Sequence, residues 1–177
     1  ALVPQTRDLA LARRWVSGLA DAGVEGVVLK GLHDPYRPGA RGWVKVRRHL
    51  SEEAVVGGYT PAGRGMSSLV LGRYDRHGRL LYLGRAGGFD AETGRRMRSA
   101  LRPLEGTDAF RGLRPGECGR FAEQRGFRWV PLAPRLVCEV ETDGVIDPPG
   151  LIRHPARLVG WRPDRVPEEV TAERPDD

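Results

Sequence analysis

The chain has 177 residues, 29 Lys plus Arg, 23 Asp plus Glu and a formal net charge of +6, a length that fits one ordinary domain or two small ones. Its apolar fraction of 40% suffices for a core, no apolar run approaches the roughly 20 residues a bilayer span needs, and Arg7, Asp8, Arg13 and Arg14 break the first apolar stretch, unlike a secretory signal. Cys118 and Cys138 cannot build a disulfide framework and fit a reducing, cytoplasmic compartment.

The spacing of Leu9, Leu11, Ala12, Trp15, Val16 and Leu19 predicts an amphipathic helix over Thr6 to Ala22, with Thr6 as N-cap and Gly23 as its stop. Val24 to Leu29 reads as a short strand and Gly31 to Gly42 as a loop carrying His33-Asp34-Pro35 and Arg37-Pro38-Gly39. Trp43 to Arg47 alternates like a strand, with Trp43, Lys45 and Arg47 on one face. Beyond His49 the pattern changes. Ala54 to Thr60, Ser67 to Tyr74 and Arg79 to Arg85 read as strands, the last two joined by the hairpin turn Asp75-Arg76-His77-Gly78. Asp90 to Leu104 reads as a helix capped by Asp90. Residues 105–127 are Gly-rich and charged and read as a surface loop. Trp129 to Glu141 and Leu158 to Trp161 complete the strands, and Arg162 to Asp177, rich in Pro and acidic residues, reads as a poorly ordered tail. The fold class is mixed α+β, mainly β. About five strands and one helix beyond His49 fit a small Greek-key barrel of the OB type.

Only two lysines occur, Lys30 and Lys45. They fall in Glu25-Gly-Val-Val-Leu-Lys30 and Trp43-Val-Lys45-Val-Arg47. Lys and Arg can neutralise phosphate oxygens, and a carboxylate such as Glu25 can face a divalent metal. Alternation sets Glu25 on the strand face opposite Lys30, so spacing alone does not bring the two together. A surface strand pair with solvated charges fits the same spacing.

These two stretches resemble the fourth and fifth nucleotidyltransferase motifs of ATP-dependent DNA ligases. A third piece, Arg153-His-Pro-Ala-Arg157-Leu-Val-Gly-Trp-Arg162-Pro-Asp164-Arg165, resembles the last motif of that family. Between them, Gly57-Gly58-Tyr59-Thr60, Leu71-Gly72-Arg73-Tyr74 and Tyr82-Leu-Gly-Arg85 look like the first strands of the ligase OB domain. The resemblance implies that residues 1–48 are the last helix and strands of an adenylation (nucleotidyltransferase) domain, 49–165 an OB-fold domain and 166–177 an acidic tail. It implies that Lys30, Lys45, Arg162 and Asp164 are catalytic, that Glu25, Lys30, Lys45, Arg47 and Arg165 bind ATP or the adenylate, and that Glu25 meets Mg²⁺ or Mn²⁺. Arg162, Asp164 and Arg165 orient the pyrophosphate in this picture, and Arg85, Arg153 and Arg157 are candidate DNA contacts. Arg47 and Arg165 stand where the family commonly has lysine, and Leu158 where an aromatic is common.

The family's nucleophile, a lysine in a Lys-x-Asp-Gly motif, is absent: Lys30 precedes Gly-Leu-His and Lys45 precedes Val-Arg-Arg. The expected function is therefore the C-terminal part of a monomeric nick-sealing ligase that relies on an N-terminal adenylation half for its lysyl-AMP. The expected partners are nicked duplex DNA and that half. A catalytically inactive DNA-binding OB module and a fragment of an RNA-capping guanylyltransferase are the alternatives. The four histidines lack metal-ligand spacing. Gly84-Arg85-Ala86-Gly87-Gly88-Phe89 reads as a tight turn, Trp43, Trp129 and Trp161 as packing anchors, and Arg95, Arg96 and Arg98 as either a solvated helix face or a track along DNA.

Overall fold

In the computed structural model, residues 3–19, 24, 26–47, 49–116, 127–143, 146, 147, 151, 152 and 154–171 are described. The chain divides into two compact units, Ala1–Leu50 and Ser51–Asp177.

In the first unit, helix α1 spans Leu9–Gly18, shorter than its apolar spacing predicts. Its N-cap is Asp8, not Thr6. The Asp8 carboxylate accepts from the Ala10 and Leu11 N–H groups at 2.8 and 3.2 Å, while Thr6 Oγ1 accepts from the Asp8 N–H at 3.0 Å. A carboxylate outcompetes a hydroxyl there because it also meets the positive end of the helix dipole. The expected stop, Gly23, lies outside the described residues. Strands β1 (Gly26–Leu29) and β2 (Val44–Arg47) pair antiparallel. Trp43 stands just before β2 rather than within it.

The second unit contains β3 (Leu50–Ala62, from the unit boundary), β4 (Gly65–Tyr74), β5 (Leu80–Gly87), α2 (Ala91–Leu101), β6 (Val130–Pro131), β7 (Val137–Thr142), β8 (Ile146–Asp147), β9 (Leu151–Ile152) and β10 (Arg157–Trp161). The main sheet runs β10-β7-β3-β4-β5. Its edges meet where Ala86 bridges Ala156 in a parallel sense: the Gly87 N–H donates to Ala156 at 3.0 Å and the Ala156 N–H to Arg85 at 2.7 Å. Five strands in this order, with α2 after the third, are the Greek-key OB barrel. The β4–β5 turn is the predicted one. Asp75 Oδ1 accepts from the His77 and Arg79 N–H groups, both at 2.9 Å, and Gly78 takes φ +71°. Asp90 caps α2, accepting from the Glu92 and Thr93 N–H groups at 2.9 and 2.8 Å. The helix ends at Leu101, and Arg102–Leu104 follow as a 3₁₀ turn because Pro103 cannot continue the α-helical ladder.

The barrel is buried on both sides of its wall. Val56, Tyr59, Leu69, Leu71, Leu83, Cys138 and Val140 fill the interior. Their strand neighbours Val55, Val70, Tyr82 and Val137 face outward and are buried as well, beneath Phe110. The segment expected as a surface loop, 105–127, is irregular and half exposed over its described residues 105–116, but it is pinned to the barrel at Phe110. Phe110 is 1% exposed and stands edge-on to Tyr82 and Trp129, with ring centroids 6.2 and 5.5 Å away. Gly57 and Gly72 on adjacent strands make its slot. A Cβ at either position would lie 2.6 or 2.8 Å from the Phe110 ring, inside van der Waals contact. The sequence pattern hides this layer, because one aromatic between charged and glycine residues carries no period.

The strand expected over Trp129 to Glu141 breaks into β6 and β7, since Pro131 and Pro134 cannot donate to a continuous ladder. The tail expected from Arg162 is ordered through Thr171. Pro167–Glu169 form a 3₁₀ turn, Val170 is buried in the outer layer, and the Tyr74 N–H donates to Val170 at 2.9 Å. Residues 172–177 lie outside the described residues. Burial pushes the Cys138 thiol up to about 12, which leaves it un-ionised and unreactive at neutral pH; Cys118 lies outside the described residues.

Replacing Phe110 with alanine removes the keystone of the outer layer and is expected to cost about 3–5 kcal/mol. Urea unfolding of the chain measures this. A loss below about 1 kcal/mol would mean that the layer adds little to the barrel.

Candidate functional site

The first cluster is built by strand register. Gly26 pairs with Arg47, Val28 with Lys45 and Leu29 with Val44. Directly opposed residues of an antiparallel pair project to the same side, and alternate residues of a strand share a face. Gly26, Val28, Lys45 and Arg47 thus lie on one face, and Lys30, one residue past β1, continues it. Trp43 lies on that side too, with Lys30 Nζ 4.0 Å from its ring centroid and Tyr36 tilted against it at 5.7 Å. The cation–π contact steadies a flexible lysine without neutralising it. Lys30, Lys45 and Arg47 are all exposed, and among the described residues neither lysine has an ion-pair partner. Three adjacent cations favour an anion with several oxygens. Gly26 permits the close pairing: a Cβ there would lie 2.2 Å from the Val46 carbonyl oxygen.

The opposite face is apolar, formed by Val27, Leu29, Val44 and Val46. Leu29, Val44 and Val46 are 41%, 59% and 40% exposed, and no described side chain of this unit is fully buried. Glu25, the expected metal and adenylate ligand, lies outside the described residues. Among the described residues no three acidic, imidazole or thiol side chains converge as a metal centre requires.

The second cluster lies in the barrel unit, where β10 runs into the turn 162–165. The Arg162 N–H donates to Val137 at 2.9 Å and the Arg165 N–H to Arg162 at 3.2 Å, fixing that turn. Asp164 accepts a two-pronged contact from Arg162, Nε to Oδ1 at 3.1 Å and Nη2 to Oδ2 at 2.9 Å. Arg162 Nη1 reaches Glu53 Oε1 at 2.7 Å and Glu139 Oε2 at 3.7 Å. Arg165 Nε donates to Glu53 Oε2 at 3.0 Å, and its Nη1 stands 3.9 Å from Glu169. The Asp164 hydrogen bonds raise the Arg162 guanidinium above its ordinary value, and the same bonds hold the Asp164 carboxyl below the usual carboxylate range. Their pairing therefore survives moderate acidification and is lost only as pH falls through the lowered Asp164 value.

Arg162 and Asp164 are in contact, Arg165 joins them through Glu53, and neither Glu53 nor Glu139 belongs to the motifs read from the sequence. Glu53 precedes Arg162 by more than a hundred positions, so no local spacing relates them. The only available signal is a Glu-Glu pair at the head of an apolar strand. The DNA candidates are less alike. Arg157 is exposed and paired with Glu141. Arg85 is half-buried, its guanidinium 5.4 Å from the Phe127 ring centroid. Arg153 lies outside the described residues. No helix among the described residues is long and apolar enough to cross a membrane.

Residues 62–165 match the family model for the ATP-dependent DNA ligase C-terminal region. DNA ligase C1 of Mycolicibacterium smegmatis is 35% identical over 97% of this chain and 50% of its own length. DNA ligase C of Mycobacterium tuberculosis is 32% identical over 96% of this chain and 51% of its own. The crystal structure of the ligase domain from M. tuberculosis LigD is similar with a TM-score of 0.59 and 29% identity, over 91% of this chain and 52% of that one. A structure of mycobacterial DNA ligase D complexed with ATP is similar with a TM-score of 0.56 and 29% identity, over 91% of this chain and 51% of that one. The chain spans about half the length of these relatives. These likenesses decide between ligase and capping enzyme in favour of the ligase.

Proposed function

This chain belongs to the ATP-dependent DNA ligase family, whose C-terminal region it carries, and we propose that it works as the C-terminal half of an enzyme that seals nicks in duplex DNA in the cytoplasm. The observation that carries this reading is the shared face of Lys30, Lys45 and Arg47, set by the β1–β2 register.

The chemistry runs in three steps. A lysine on an N-terminal adenylation half attacks the α-phosphate of ATP, forming lysyl-AMP and releasing pyrophosphate. AMP then passes to the 5′-phosphate at the nick. The 3′-hydroxyl attacks that phosphate, joins the strand and releases AMP. Lys30 and Lys45 stabilise negative charge on the reacting phosphate in each step, with Arg47 adding to the field. Arg162 and Arg165 orient the pyrophosphate in the first step, and Asp164 holds the Arg162 fork. A divalent cation, Mg²⁺ or Mn²⁺, with Glu25 as its ligand, enters through the family resemblance alone. The described residues add no ligand cluster to it. The exposed apolar face of β1–β2 supports an N-terminal half as partner, because contiguous exposed apolar surface marks an interaction site.

DNA contact falls to Arg157, with Arg153 and Arg85 as further candidates. The chain is expected to bind nicked duplex with an affinity that drops at least tenfold between about 50 and 200 mM salt, since each phosphate contact releases counterions. Fluorescence anisotropy reads this directly. Absent or salt-independent binding would contradict the DNA part of the reading.

A further inference from the structure

We propose that Glu53 is a positioning residue for the ATP-consuming step: its carboxylate braces Arg162 and Arg165 side by side, so that they present one phosphate-binding fork to the leaving pyrophosphate. The inference rests on the reading above and adds a residue that none of the ligase motifs contains.

Two guanidiniums three residues apart on one turn repel each other. Glu53 lies between them, Oε1 2.7 Å from Arg162 Nη1 and Oε2 3.0 Å from Arg165 Nε. Donors that reach both oxygens of one carboxylate are close enough to address neighbouring oxygens of one phosphate. The brace also leaves donors over. A guanidinium has five N–H groups. Asp164 takes two from Arg162 and Glu53 takes one, while Arg165 engages Glu53 through Nε. Arg162 Nη1 also faces Glu139 at 3.7 Å and Arg165 Nη1 faces Glu169 at 3.9 Å, both beyond hydrogen-bond distance, so the second Nη2 hydrogen of Arg162 and the Nη groups of Arg165 are the donors left to phosphate oxygens while Glu53 stays in place.

Glu53 is itself fixed. It projects from β3 on the same side as the buried Val55. Arg73 Nε donates to the Glu53 carbonyl at 3.2 Å, and the Arg73 guanidinium pairs with Glu52. A group held by a strand positions its partners more precisely than the turn 162–165 could alone. Glu139, hydrogen-bonded by Ser51, adds a second carboxylate 3.7 Å from the same Arg162 Nη1.

The test uses the ligase assembled from this chain and an N-terminal half carrying Lys-x-Asp-Gly. Two rates are measured: adenylation by ATP, and sealing of a pre-adenylated nick, which consumes no ATP. Glu53→Gln offers one acceptor and one donor where two acceptors are needed. It is expected to slow adenylation about 100-fold, through kcat more than KM, and to leave pre-adenylated sealing at the wild-type rate. Glu53→Asp keeps the charge but cannot span both guanidiniums, and shows the same selective loss to a smaller degree; it stands in should the Gln variant fold poorly. Equal loss in both reactions with the Asp variant, as a purely structural residue would give, or full adenylation with either variant, overturns the proposal. A wild-type assembly that fails to adenylate overturns the functional reading, and the role of Glu53 with it.

Discussion

Lys45→Ala is expected to lower both ATP-driven sealing and sealing of a pre-adenylated nick by about 100- to 1000-fold, the effect of removing one preorganised charge or donor from a reacting phosphate. The reason lies in the register. Lys45 stands directly opposite Val28, between Trp43 and Arg47 along its own face of β2, with Lys30 anchored on Trp43 nearby. It is exposed, and no described acid neutralises it. In the proposed reading its charge faces the reacting phosphate in the first step as in the last. Val28 and Val44 do not substitute for it, and Arg47 occupies a different position on the strand. Lys45→Arg restores only part of the rate, because a planar fork cannot occupy the place of a compact ammonium. Single-turnover kinetics on the two substrates measure this. A loss smaller than about tenfold, or one confined to the ATP-driven reaction, would show that Lys45 is a surface charge or serves the first step alone.

Arg162→Ala should behave differently. Adenylation by ATP is expected to fall about 100- to 1000-fold, while sealing of a pre-adenylated nick is retained, because pyrophosphate takes part only in the first step. Arg162→Lys should not rescue it. The contact with Asp164 uses Nε and Nη2 as a pair, at 3.1 and 2.9 Å, and the Glu53 contact uses Nη1 at 2.7 Å. An ammonium cannot reproduce that fixed geometry. The different step dependence of Lys45, needed in both reactions, and Arg162, needed only with ATP, separates the roles assigned to the two clusters. Equal losses in both reactions for Arg162→Ala would instead indicate general damage.

The barrel was legible because its strands alternate and its turns are marked. Asp75 and Gly78 announced one hairpin, and Asp90 announced α2. The cationic face was legible in the alternation of Trp43, Lys45 and Arg47. What escaped the sequence was long-range. Phe110 fills a slot made by Gly57 and Gly72, and nothing in 105–116 signals that a lone aromatic closes a second layer. Val170 packs into that layer from a stretch whose prolines and acids suggest a free tail. Glu53 became visible only once β3 and the turn after β10 were adjacent. The displaced cap of α1 has a local cause: Thr6 and Asp8 are both good caps, and the carboxylate wins on charge.

Neither lysine of this sequence stands in a Lys-x-Asp-Gly motif, and in the proposed reading the chain serves an adenylating lysine on an N-terminal half. The most direct measurement incubates the chain with α-labelled ATP, Mg²⁺ or Mn²⁺ and nicked duplex, alone and with an N-terminal ligase half bearing Lys-x-Asp-Gly. The predicted result is no label on this chain alone, label on the N-terminal half in the mixture, and sealed DNA only when both are present. Label on this chain by itself, or a mixture that does no more than the N-terminal half alone, would contradict the account; the second result would leave a DNA-binding OB module as the better description.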